Sequence, residues 1–172
     1  MALTLVATPG ATNANSYCTR AEADAYFEAS VYSVAWTAAS SAQKDAALVN
    51  ATRLIDELYT WKEWPTGPTQ ALQWPRTGLM DYLGLSFIGD AEIPPKLKEA
   101  TAELAQDVLE ADSAEVLQQV QQGLTSMTAG PVSFAFKESF SVKVIADSVT
   151  SKIPSWWGRL RGAGLVQPVL RG

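Results

Sequence analysis

The sequence predicts a mainly α-helical domain: three main helices, a long tryptophan-bearing loop, a β-hairpin and an extended C-terminal arm. Two helix-start signals, Thr19-Arg20-Ala21-Glu22 and Ser40…Gln43, each precede apolar residues at three–four spacing. A third helical stripe follows Ile93-Pro94-Pro95. Period-two alternation comes late, at Val132, Phe134 and Phe136 and again at Phe140, Val142 and Val144. At 172 residues and 47% apolar content the chain has the size of one domain with an ordinary core.

Residues 1–18 lack helical periodicity and contain Thr8-Pro9-Gly10 and Asn13-Ala14-Asn15, so they read as an N-terminal arm with at most a short strand at Leu3–Val6. Such an arm could cross to a neighbouring chain. The body, 19–112, begins with the Thr19 capping box, in which a threonine oxygen takes an orphan amide and Glu22 reaches back. The helix behind it buries Ala23, Tyr26 and Phe27. The Ser40 helix places Ala47, Ala51, Leu54, Ile55 and Leu58 on one face. From Thr60 to Ile93 prolines and glycines punctuate a stretch holding Trp61, Trp64, Trp74 and Phe87, a loop length that is uncommon unless functional or packed by its own aromatics. Leu97, Ala100, Thr101, Leu104, Ala105 and Val108 then stripe a third helix running to about Ala111.

Region 113–149 holds the predicted hairpin, with Lys137-Glu138-Ser139 between its strands. A lone hairpin is marginal, so Val132, Phe134, Phe136, Phe140, Val142 and Val144 are expected to pack on the helices or pair with another subunit. Residues 150–172 form a basic arm: Lys152, Arg159, Arg161 and Arg171 occur there with no acid, while residues 1–149 carry nine basic and 18 acidic residues, net −9. Trp156, Trp157, Arg159, Leu160 and Arg161 are its predicted docking anchors, since adjacent tryptophans near a terminus need a partner to bury them.

What is missing excludes whole chemistries. With no histidine, Ser-His-Asp and Cys-His catalysis and histidine-bearing zinc sites are ruled out. A single cysteine, Cys18, allows no internal disulfide and reads as a small buried packing group. No apolar run approaches the ~18–20 residues of a membrane span, and the start lacks a signal peptide's basic flank; the expectation is a soluble protein of a reducing compartment. Glycine loops that cradle phosphate and aspartate loops that hold calcium are absent, so no cofactor and no metal are expected. Glu99 and Glu103 share a helix face that reads as solvated, so no catalytic residue and no enzyme is expected. Trp61-Lys62 and Trp74-Pro75-Arg76 loosely satisfy the aromatic–basic interleaving of a single-strand binder; loop packing is the better reading, because the body is acidic.

Taken in order, Asn15-Ser16-Tyr17, Ala21-Glu22-Ala23-Asp24-Ala25-Tyr26-Phe27, Trp36, Lys44, Ala47-Leu48, Ala51-Thr52, Leu54 with Asp56, Trp61, Gln70-Ala71-Leu72-Gln73-Trp74-Pro75-Arg76, and Ile93-Pro94 with Leu97, Lys98, Ala100 and Glu103-Leu104-Ala105 resemble a group of tailed-phage proteins, over roughly residues 13–110. They are often labelled DnaT-like single-stranded DNA-binding proteins and are similar to head–tail connectors, also called adaptor or neck proteins. The connector resemblance implies a homo-oligomeric ring, commonly dodecameric, beneath the portal protein. A C-terminal extension would clamp the portal, a stopper or tail terminator would sit on the tail side, and packaged duplex DNA would pass through the lumen without specific binding. Localisation would be the virion neck, and the host cytoplasm during assembly. The DnaT-like label implies instead a replication protein with Trp61, Lys62, Trp74 and Arg76 as its strand-binding surface. An acidic body favours the connector, because a DNA channel should repel phosphate and a strand binder needs a positive groove.

Overall fold

Two reciprocal caps frame the helical body. Thr19 accepts from the Glu22 N–H and its own N–H donates to the Glu22 carboxylate at 2.7 Å, opening α1, Arg20–Glu28. Ser40 and Gln43 repeat the arrangement to open α3, Ser41–Leu58. The computed structural model describes residues 3–113, 126–129, 132–135 and 146–161. Its fold is mainly α, with short two-stranded antiparallel pairs at the edges.

The third predicted helix is α4, Pro95–Ser113. It buries the expected Leu97, Ala100, Thr101, Leu104 and Ala105, and also Ala102 and Leu109 from a second side. It is buried on two sides because it is the central helix, packing against α1, α3, the short α2 (Val34–Ala38) and the short α5 (Asp147–Thr150). Helix α2 is too short to show a period in sequence. Its position is held by Trp36, whose indole N–H donates to Asp24 at 2.9 Å and whose ring lies 5.1 Å from that of Phe27.

The N-terminal arm folds back on its own body. Val6 N–H donates to the Asn15 side chain at 2.7 Å, and Asn15 N–H returns a bond to Val6 carbonyl at 2.9 Å. Beyond that clamp Ala14, Ser16, Tyr17 and Cys18 are buried, and Leu5 packs against the core. Leu3–Val6 forms no strand and stays irregular, because the Val6 amide and carbonyl are taken by Asn15 rather than by a ladder.

The long loop is tied down at both ends. Strand β1, Tyr59–Trp61, continues directly from α3, and β2, Trp64–Pro65, pairs with β3, Arg76–Thr77. Between β1 and β2, Glu63 takes a left-handed conformation, φ 57°. Further on, Met80 bridges Phe87 around a turn in which Asp81 accepts from Leu85 N–H and Ser86 hydroxyl.

Late in the chain β4, Ser126–Ala129, pairs with β5, Val132–Ala135, joining Thr128 to Ser133 and Met127 to Phe134. Val132 and Phe134 therefore lie in a strand that pairs with residues before it; the second half of the predicted hairpin lies outside the described residues. Phe136, Phe140, Val142 and Val144 lie outside the described residues. The C-terminal segment is not a free arm up to Arg161. Val149, Ile153 and Trp157 enter the core, and β6, Gly158–Leu160, pairs with β1 in the register Tyr59 to Leu160, Thr60 to Arg159 and Trp61 to Gly158.

Candidate functional site

The end of α3, the Trp74 loop and the C-terminal segment converge on one cluster of aromatic rings. Trp74 stands edge-on to Trp61 at 5.6 Å and to Trp157 at 5.4 Å, while Tyr59 stacks on Trp61 at 5.1 Å. Edge-to-face pairs at these distances add directional attraction to the area they bury. Trp157 is fully buried and its indole N–H donates to the Met80 carbonyl at 2.6 Å, so the tail is latched to the loop 77 positions earlier. Trp74 follows a different rule: its indole N–H is buried without a hydrogen-bond partner.

Beneath the rings lies a polar knot. Half-buried Asp56 accepts from the Tyr17 hydroxyl, from the Trp61 indole at 3.3 Å and from Gln73 N–H at 3.2 Å. Burial raises its carboxyl above the ordinary aspartate range, and those three bonds oppose the rise. Burial, reinforced by the Asp56 charge and hydrogen bond, also raises the Tyr17 phenol well above its usual value. Arg76 is buried, and its guanidinium donates to the carbonyls of Lys62 at 2.7 Å, Gln73 at 2.9 Å and Glu63. Its donors are spent on holding the β1–β2 bend to the Trp74 loop.

These positions decide the sequence-derived sets. Of Trp61, Lys62, Trp74 and Arg76, only Lys62 is exposed; Trp74 and Arg76 are buried and Trp61 is half-buried. Trp61, Trp74 and Arg76 therefore serve packing, and Lys62 alone of the set is open to solvent. Of the docking anchors, Trp157 is core and Leu160 is half-buried against it, whereas Trp156, Arg159 and Arg161 are exposed. The five do not form one free hook, because strand pairing to β1 and the Met80 bond hold the segment on its own body. Glu99 and Glu103 are half-buried and paired, with Lys96 at 2.7 Å and with Lys152 at 3.4 Å, so their face is not simply solvated.

The outer surface carries what remains. Burial alternates along the β1–β6 ribbon, with Tyr59 and Gly158 inward and Thr60, Lys62, Arg159 and Arg161 exposed. Elsewhere the turn after Leu79 holds Leu83, Leu85 and Phe87 in solvent, and the turn before α2 does the same with Val31, Tyr32 and Val34. Sequence reasoning missed these surfaces. Leu83, Leu85 and Phe87 alternate with small residues, which in hindsight was a signal for a short bridged turn.

Cys18 is buried and its thiol is pushed up to about 12, first by desolvation and then by Glu22, with Lys98 opposing. Among the described residues no group of three histidine, cysteine or acidic side chains could hold a metal ion, and no helix is long and apolar enough to cross a membrane.

Fold and surface together describe a small helical domain with an aromatic-backed basic ribbon. A family model described as "Putative DnaT-like ssDNA binding protein" matches residues 1–166, and the chain belongs to that family. No curated protein and no solved structure matches significantly.

Proposed function

We propose that this chain is a structural subunit of a tailed-phage neck, a head-to-tail connector that assembles as a ring beneath the portal and has no chemistry of its own. The observation that carries this reading is where the large side chains sit. Trp74 and Arg76, two of the four residues of the candidate strand-binding surface, are consumed inside the fold, as is the docking candidate Trp157. Meanwhile short, hydrogen-bonded turns hold Leu83, Leu85, Phe87, Val31, Tyr32 and Val34 in solvent, as surfaces meant for other polypeptides do. The net charge of −5 fits a channel that does not bind the DNA it surrounds. Partners on this reading are further copies of the chain, the portal, and a tail-side stopper or terminator; the site of action is the virion neck. Electron microscopy of the purified protein with and without portal tests it. Closed rings, or rings formed on the portal, are expected; a protein that stays monomeric in both samples overturns it.

A second reading follows the family description, single-stranded DNA binding. One observation favours it: Lys62, Arg159 and Arg161 share the exposed side of the ribbon, with exposed Trp64 two residues past Lys62. An oligonucleotide mobility shift that weakens steeply with salt would support it, and the connector reading expects essentially no shift.

A further inference from the structure

The described cations divide sharply. Arg20 pairs with Asp45, Lys44 with Asp24, Arg53 with Glu57, Lys96 with Glu99, Lys98 with Glu22 and Lys152 with Glu103. Arg76 is spent on backbone carbonyls. What is left is Lys62, Arg159 and Arg161, which have no ionic partner among the described residues and all lie exposed on one two-stranded ribbon. In a chain of net charge −5, gathering the uncommitted cations of the described residues on one sheet face makes that face a site for an anionic partner.

The same chain carries the complementary surface. Along α4, Glu103, Asp107 and Glu110 recur at helical spacing. Glu103 is taken by Lys152 and Tyr26, while Asp107 and Glu110, the latter accepting from Gln106, have no cationic partner among the described residues. Burial chiefly, and then repulsion from Glu110 and Glu103, raises the Asp107 carboxyl above the ordinary aspartate value. This stripe is remote from the ribbon. Trp157, next to β6, packs on Tyr82, whose ring lies under Lys96 near the start of α4. From Lys96 to Asp107 the helix advances ~16 Å.

Resting on the ring reading above, we propose that the β1–β6 ribbon of one copy docks, through Lys62, Arg159 and Arg161, on the Asp107–Glu110 stripe of α4 in a second copy. Two different patches of one molecule make a heterologous, head-to-tail contact, which forms rings where its rotation closes. A polyanion is the weaker partner for this ribbon, since three cations stand against an acidic remainder and affinity for phosphate scales with the number of contacts.

Charge reversal tests the contact. One variant carries Lys62→Glu, Arg159→Glu and Arg161→Glu; the other carries Asp107→Lys and Glu110→Lys; circular dichroism checks that each is folded. Light scattering reads the assembled mass of each variant alone and of the two mixed in equal amounts. Either variant alone is expected to self-associate at least ~10-fold more weakly than wild type. The mixture regains assembly, since every ribbon then meets a stripe of opposite charge. Wild-type rings that persist in both variants, or a folded mixture that fails to recover, overturn the ribbon contact and leave the connector reading standing. A wild-type chain that stays monomeric with and without portal removes both. Loss of oligonucleotide binding in the ribbon variant with assembly unchanged also overturns the proposal and assigns the ribbon to nucleic acid.

Discussion

The indole N–H of Trp157 reaches the carbonyl of Met80 at 2.6 Å, fixing the C-terminal segment to the tip of the long loop. Trp157 also fills the space between Trp74 and Tyr82. Loop, tail and α3 end are consequently one packing unit, and changes in any of them should be felt as loss of stability.

Truncation after Thr150 is expected to destabilise the body, because it removes Ile153, Trp157 and strand β6 together. Trp157→Ala alone should cost about 3–5 kcal/mol, as for other buried aromatic truncations. Urea denaturation followed by tryptophan fluorescence or circular dichroism measures this; a midpoint equal to wild type would show that the segment is dispensable to the fold.

Replacing indole by phenyl separates packing from hydrogen bonding. Trp157→Phe and Trp74→Phe remove similar volume, but only the first abolishes a bond and strands the Met80 carbonyl. Trp157→Phe should therefore be the more damaging by ~1 kcal/mol. Equal losses in denaturant midpoint would mean that the Met80 bond contributes nothing net.

Gly158→Ala tests the ribbon's closeness. Glycine-to-alanine changes in strands usually help slightly, but a Cβ here would lie 2.9 Å from the Thr60 carbonyl oxygen and 2.9 Å from a Trp61 ring carbon. The expected result is a loss of ~1–3 kcal/mol as the ribbon and ring are forced apart. Stabilisation on thermal denaturation would contradict this geometry.

Asp24 gives the fold an acid-side weakness. It accepts from the Trp36 indole at 2.9 Å and from the Lys44 ammonium at 2.8 Å, tying α1 to α2 and α3. Burial works against its charge, but the bonds from Lys44 and Trp36 win and hold the carboxyl below the ordinary aspartate value. A depressed folded pKa contributes stability that is present in full above the unfolded value, ~3.9, and is lost as pH falls through the folded one. Because the side chain is partly exposed, Asp24→Asn should cost only ~1 kcal/mol at neutral pH. The gap between variant and wild type should close as pH drops below ~3.9; a gap that stays constant with pH would exclude this origin.

How far the sequence could be read follows from the range of each interaction. Thr19 with Glu22 and Ser40 with Gln43 are caps three residues apart, so the starts of α1 and α3 were legible. The stripe of α4 was legible for the same reason, whereas its second buried side, Ala102 and Leu109, depends on neighbours that arrive from elsewhere in the chain. The buried fates of Trp74 and Arg76 were only half legible: an acidic body argued against a strand-binding surface, but nothing local revealed that Arg76 would bind three carbonyls.

The amino-acid sequence by itself determined the three main helices, the caps of α1 and α3, the helical class and the acidic balance, all set by contacts within a few residues or by counting. Tertiary structure alone decided that Trp157 belongs to the core and that Lys62, Arg159 and Arg161 share one exposed face. Those outcomes depend on pairing β1 with β6 across about a hundred intervening positions, and no local pattern encodes which distant strand will supply the partner.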